Sequence, residues 1–249
     1  DGPTQTMTFV FDYSPDDPPT AVCMDYTAPL DNTGNVTVDA ADVDDGSSDD
    51  DGPVELFFED CADIGNNVQY INNSQRWQPF ASDFSQSRYQ VLYRADELLA
   101  AGLVAGDPIS QIGFNIAEKN TTTPIPNFQV SVALLAATTI GNGSNDFETV
   151  PLTTIRAAAP YTTVLGWNQF TFPTPITWDG TSGLLVQTCH SGGTNGGSGT
   201  DGVFTYNTPG NQVVTGYFNN CNAVSGVFTH NVVPQFRICS YVESLDFDC

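Results

Sequence analysis

Residues 1–60 carry 16 carboxylates and no lysine or arginine; the first basic side chain is Arg76. Each aspartate in such a stretch repels the others, so compaction needs either bound cations or an apolar framework. Apolar strands do interrupt the acids, at Met7-Thr8-Phe9-Val10-Phe11 and Val54-Glu55-Leu56-Phe57-Phe58. The expectation is a compact segment neutralised by divalent ions. Over the whole chain 29 acidic residues stand against 6 basic ones, a net charge of −23. That surface repels nucleic acid and anionic membranes. No run of 18 apolar residues is present to span a bilayer as a helix.

The densest acidic run is Asp42-Val43-Asp44-Asp45-Gly46-Ser47-Ser48-Asp49-Asp50-Asp51-Gly52. Calcium takes six to eight oxygens from carboxylates, carbonyls and water on a pliable backbone. Asp42, Asp44, Asp45, Asp49 and Asp51 are the leading candidate ligands, with Asp16 and Asp17 from the preceding linker. The spacing is not that of an EF-hand, so the chemistry indicated is that of hard cations in general. A solvated acidic loop is the alternative.

Beyond residue 62 the chain changes character. Period-two runs dominate: Gln129-Val130-Ser131-Val132-Ala133-Leu134, Gln169-Phe170-Thr171-Phe172, Leu184-Leu185-Val186-Gln187 and Gln235-Phe236-Arg237-Ile238. Gly, Pro, Asn and Asp clusters separate them, which predicts an all-β sandwich or barrel. Asp179-Gly180 and Asp201-Gly202 read as turns. Residues 87–102 predict a strand followed by a short helical turn at Ala95–Ala101, stopped by Gly102.

Six cysteines, at 23, 61, 189, 221, 239 and 249, include no CxxC pair. They predict disulfides and an oxidising compartment. Cys189 with Cys221 is the preferred pair, closing over the glycine-rich stretch 191–200. Cys61, Cys239, Cys23 and Cys249 remain for further bonds, and buried free thiols are the alternative. Asp1 is not a translation start, so the chain reads as a processed form or a piece of a longer one.

Aromatic side chains offer stacking platforms for sugars. Trp77, Trp167, Trp178, Tyr206 and Tyr217 are the glycan-binding candidates, with Asp179, Asn168 and Asn195 as polar partners. Core or sheet-edge packing competes as a reading for Trp167 and Trp178. The two histidines, His190 and His230, stand in no catalytic motif, and no GxSxG, HExxH or phosphate loop is present. The expectation is a protein that is not an enzyme.

Two resemblances sharpen this. Pro19-Thr20-Ala21-Val22-Cys23, the strand from Leu30-Asp31 to Val36-Thr37-Val38, the loop Ala41-Asp42-Val43-Asp44-Asp45-Gly46-Ser47-Ser48-Asp49 and the pair Asp60-Cys61 resemble HYR-like, immunoglobulin-type repeats of Bacteroidetes surface proteins. Here a cysteine that the family places after the loop is replaced by Asp49-Asp50-Asp51. Residues 75–240 resemble a jelly-roll-type domain common in secreted Bacteroidetes proteins. The carrying motifs are Ser87-Arg88-Tyr89-Gln90-Val91-Leu92-Tyr93, Ile109–Asn115, Gly166-Trp167-Asn168-Gln169-Phe170 and Ile176-Thr177-Trp178-Asp179-Gly180.

The resemblances imply type IX secretion and a place in a cell-surface adhesin or filament stiffened by calcium and disulfides. A carbohydrate-binding module of a secreted multidomain protein is the rival. The expected parts are an N-terminal strand and linker (1–17), an immunoglobulin-like acidic segment (18–65), a jelly-roll-like sandwich (66–240) and an acidic tail (241–249). Neighbouring copies joined head to tail, through strand addition by Thr6–Phe11, are the expected partners, with surface glycans as a further possibility.

Overall fold

The computed structural model describes residues 20–29, 31, 32, 35–50, 56, 58–65, 69, 70, 78–141, 144–193, 199–217, 220–242 and 244–247. The chain divides into two compact units: residues 1–58 with 242–249, and residues 59–241. Thr6–Phe11, expected as an exchanging strand, falls outside the described residues.

In the smaller unit, strand β1 (Val36–Asp39) pairs antiparallel with β15 (Ser244–Phe247), Val36 opposite Phe247 and Asp39 opposite Ser244. β1 alternates half-buried Val36 and Val38 with exposed Thr37 and Asp39, the period of a strand with one covered face. A 3-10 turn follows at Ala40–Val43, where the Asp39 backbone N–H donates to Asp42 Oδ2 at 3.1 Å. Isolated bridges join Thr20 to Ser48 and Cys23 to Asp44. The C-terminal residues, expected as a separate tail, thus supply a strand to the unit that holds the acidic segment.

The larger unit is an antiparallel sandwich. One sheet has six strands in the order β12 (Phe228–His230), β11 (Val213–Tyr217), β4 (Gln86–Tyr93), β9 (Gly183–Ser191), β6 (Ile125–Leu135) and β7 (Thr153–Tyr161). The other runs β13 (Val232–Pro234), β10 (Gly202–Asn207), β5 (Pro108–Glu118), β14 (Phe236–Val242) and β2 (Phe58–Ile64). To it are added β3 (Gln69–Tyr70) on β10 and β8 (Gly166–Thr177) on β5. The chain passes from sheet to sheet at most connections, as a jelly-roll-type sandwich requires.

Side chains of both sheets meet in one core. Tyr93 on β4 stacks on Phe236 on β14 with ring centroids 3.8 Å apart, and Phe80, Phe128, Tyr161 and Phe170 form a second aromatic group. The two sheets differ on their outer faces. β8 alternates buried Asn168, Phe170 and Phe172 with exposed neighbours, so its outer face meets solvent. β9 is buried from Gly183 to His190, because its outer face is also covered. The cover is the segment between β6 and β7. Its Ile140 and Phe147 pack on Leu92, Leu185 and Val214 as a small second core. Gly141 lets that segment lie flat (φ +64°); a side chain there would run into Thr229 and Val214.

Helix α1 (Ala95–Ala100) follows β4 as the sequence predicts. Glu97 Oε2 accepts the Arg94 backbone N–H at 2.9 Å, half of a capping box, and Gly102 at φ +98° ends the turn. Among the described residues two disulfides are present, Cys189–Cys221, the preferred pair, and Cys61–Cys239 between neighbouring strands β2 and β14, while Cys249 lies outside the described residues. Cys23 is an exposed free thiol. No helix among the described residues is long and apolar enough to cross a membrane.

Candidate functional site

The acidic loop spends several carboxylates on its own backbone. Asp44 accepts from Ser47 N at 2.9 Å and Gly46 N at 3.3 Å, and Asp31 accepts from Asn35 N at 2.9 Å. Hydrogen bonding from the Ser47 side chain, then its backbone, holds the Asp44 carboxyl below the ordinary aspartate range. Among the described residues no three carboxylates approach within 4.8 Å of one another. Asp42, Asp44, Asp45 and Asp49 are thus not gathered three together at that distance, while Asp51, Asp16 and Asp17 lie outside the described residues. The one close group of potential ligands, Glu59 with Cys61 and Cys239, has both sulfurs committed to a disulfide.

The aromatic candidates separate by burial. Trp178 is 0% exposed and its Nε1–H donates to Ser182 O at 2.7 Å, so it is core and has no face for a sugar. Asp179 beside it closes the turn, accepting from Ser182 N (2.6 Å), Ser182 Oγ (2.7 Å) and Thr181 N (2.8 Å). These bonds, the Ser182 hydroxyl foremost, bring its pKa down to about 2. Asn168, also buried, holds the Val164–Gly166 turn. Tyr206 donates its hydroxyl to Glu97, and Tyr217 stacks on Phe84. Trp167 is different. It sits half-buried on the outer face of the larger sheet, with the Arg237 guanidinium 4.3 Å from its ring and Arg237 bound to Asp63 at 2.7 and 3.1 Å. Trp77 and Asn195 fall outside the described residues.

A groove of about 360 Å³ lies on the outer face of the six-stranded sheet, beside its covering segment. Register builds its floor. Thr154, Ser131 and Gln187 stand opposite one another across β7, β6 and β9, and Gln129, Cys189 and Arg88 form the next row across β6, β9 and β4. Arg88 is 6% exposed. Its Nε donates to Gln187 Oε1 at 2.8 Å, its Nη1 to Ala223 O, and its guanidinium lies 4.4 Å from the Phe147 ring. The Cys189–Cys221 bond ties the loop carrying Ala223 down beside the groove.

Other buried polar groups are structural anchors. Asp201, read from sequence as a turn residue, is 0% exposed at the start of β10. It accepts from Asn120 N (2.6 Å), Thr121 N (2.7 Å), Thr121 Oγ1 (2.7 Å) and Thr163 Oγ1, with Lys119 Nζ 3.7 Å away. His190 Nε2 donates to Ala81 O at 2.9 Å, and burial lowers its pKa. Burial likewise brings His230 down to about 4.

A histidine whose folded pKa lies below its unfolded value of about 6.5 costs stability as pH falls. Below 6.5 the unfolded chain takes up the proton first, and the loss accumulates until the folded pKa is reached. Carboxylate protonation relieves repulsion over the same range and acts in the opposite direction. The expected result is therefore a difference: the stability gap between the wild type and His230→Gln shifts against the wild type by up to about 3 kcal/mol from pH 7 to pH 4. Urea titrations at intervals of pH measure it, and a gap that does not change with pH would refute it.

The sequence reading missed Arg88, Gln129, Ser131, Thr154 and Gln187 as a group. The available signal was the polar half of each alternation, Arg88 and Gln90 on one strand and Gln129 and Ser131 on another. Compared with protein-family models, curated proteins and solved structures, the chain matches none.

Proposed function

We propose that this protein is a load-bearing structural module of an extracellular adhesin or filament. One observation carries the reading. Cys61 and Cys239 lie at the beginning and end of the larger unit, on its first strand β2 and its last long strand β14, and are covalently joined. Tension entering the unit at residue 59 and leaving at 241 passes through that bond, and the loop behind it is shielded. Disulfides of this kind belong to oxidising compartments, in keeping with a secreted or cell-surface setting.

Calcium enters this reading through charge rather than through a built site. The segment 1–60 with its 16 acids and no base gains from any divalent ion that screens it. Thermal unfolding with millimolar calcium is expected to show a higher Tm than with a chelator, by several degrees, and the gain should exceed that from sodium chloride of equal ionic strength. Identical curves would remove calcium from the proposal. Electron microscopy for fibres in the same samples tests assembly from neighbouring copies.

A second reading, carbohydrate recognition, is favoured by the half-buried Trp167. Its ring lies on an outer face shared with Asn115 and Gln235, joined at 2.9 Å, and with Gln111 and Thr171, joined at 3.0 Å. Such rows of amides and hydroxyls beside an indole suit sugar hydroxyls.

A further inference from the structure

We infer that the groove over Arg88 is a binding site for a carboxylate-bearing saccharide, anchored by the guanidinium of Arg88 and the amide of Gln187. This is a site on the opposite sheet from Trp167. It stands on the groove alone, whether or not the module bears load.

The donor inventory points to an anion. Arg88 uses Nε and one terminal nitrogen, and its Nη2 donates to no group among the described residues. Gln187 is 5% exposed; its Oε1 accepts from both Arg88 Nε (2.8 Å) and Gln90 Nε2 (3.0 Å), which leaves its own Nε2 with no acceptor there. Both side chains line the groove. Two nine-tenths-buried side chains, each with a donor to spare, thus line one opening. A guanidinium so far removed from water is costly without a counter-charge. Among the described residues Arg88 has no carboxylate within 4.0 Å, although the chain carries 29 of them against 6 bases. The carboxylate on the wall, Glu148, reaches toward Gly141 N at 3.5 Å. A ligand carboxylate completes the arginine with charge-assisted bonds.

The rest of the groove specifies a polyhydroxylated ligand. Gln129 Nε2 donates to Ser131 Oγ at 3.3 Å and Thr154 Oγ1 at 3.0 Å, and those two hydroxyls lie 3.2 Å apart. Amide and hydroxyl groups in a row exchange hydrogen bonds with sugar hydroxyls. Val150 and Leu152 supply an apolar wall for the C–H face of a ring. A peptide is less suited, because the groove lies on a sheet face, where backbone pairing is not on offer, rather than on a sheet edge.

The test is calorimetric titration of the full chain with a galacturonic acid tetramer and, separately, with the neutral galactose tetramer. The acidic tetramer is expected to bind and the neutral one to bind at least about tenfold more weakly. Arg88→Gln should weaken the acidic tetramer by about tenfold to a hundredfold, and Thr154→Ala, which leaves the guanidinium in place, by a few-fold. Val104→Ala, at an exposed side chain outside the groove, should leave it unchanged, and Trp167→Ala separates the groove from the face of the other sheet. Thermal melts confirm that each variant is folded; if Arg88→Gln is not, Arg88→Lys and Thr154→Ala carry the test. Absence of binding by the acidic tetramer, equal binding of the two tetramers, or loss through Trp167→Ala instead of the groove variants overturns the inference. Loss through Trp167→Ala alone would assign recognition to the other sheet and leave load-bearing untouched.

Discussion

A chain with Cys61 and Cys239 both replaced by serine, stretched from its ends, should lengthen by about 50 nm more than the wild type before it is taut. The bond joins residues 178 positions apart, of which the 32 positions spanned by Cys189–Cys221 stay looped by the second disulfide. The remainder extends at roughly 3.4 Å per residue. The wild-type larger unit should give up only the few residues outside the bond. Single-molecule force spectroscopy reads this directly, and equal contour lengths would refute the load-bearing assignment. At equilibrium the same variant should lose about 5 kcal/mol by the chain-entropy argument for so long a loop, and removal of Cys189–Cys221 about 4 kcal/mol. Both are measurable by urea denaturation.

Asp201→Ala is expected to cost about 3–5 kcal/mol, on the scale of breaking a buried charge network by removing one partner. Asp201 receives two backbone N–H groups and two hydroxyls and stands near Lys119, with no solvent access. Truncation leaves the N–H groups of Asn120 and Thr121 without acceptors in a closed site. Asp201→Asn retains an acceptor but turns an amide donor toward hydroxyls that can rotate to receive it, so it should cost about half as much. The ratio matters. Equal losses for Ala and Asn would mean that negative charge, rather than hydrogen bonding, is what the site needs. A loss below about 1 kcal/mol for Ala would show that water replaces the carboxylate.

What the sequence made legible followed the solvent. β8 and β14 have an open outer face, and Gln169-Phe170-Thr171-Phe172 and Gln235-Phe236-Arg237-Ile238 alternate accordingly. The short helix after β4 showed in the composition of Ala95–Ala101 and its Gly102 stop. β9 was read as a strand at Leu184-Leu185-Val186-Gln187, but its faces were harder to assign: Leu184 and Val186 enter the main core and Leu185 the second one, so both sides are apolar there. The groove escaped notice because its floor comes from four strands whose neighbours in space lie far apart in sequence. Arg88 and Gln187 are 99 residues apart, and only the strand order brings them together. Asp201 was misread for a related reason. Asp-Gly is a turn signal locally, and the donors that bury it come from residues 38 to 81 positions away. The acidic loop was seen as a collection of ligands, yet Asp42 and Asp44 accept from backbone N–H groups of their own segment, a demand that composition does not reveal.

The pairing of β1 with β15 has a mechanical meaning. Val36 and Phe247 face each other at the end of the ribbon nearest both chain termini, and Asp39 and Ser244 at the other. A pull applied at Val36 and Phe247 would therefore peel the ribbon open one rung at a time, as a zipper opens, instead of shearing all its hydrogen bonds at once. Such a joint yields at low force and reseals when slack returns. In the larger unit, by contrast, the Cys61–Cys239 bond would arrest extension of the chain it encloses, if the proposed load-bearing role holds. The molecule would then act as a short extensible tether with a hard stop.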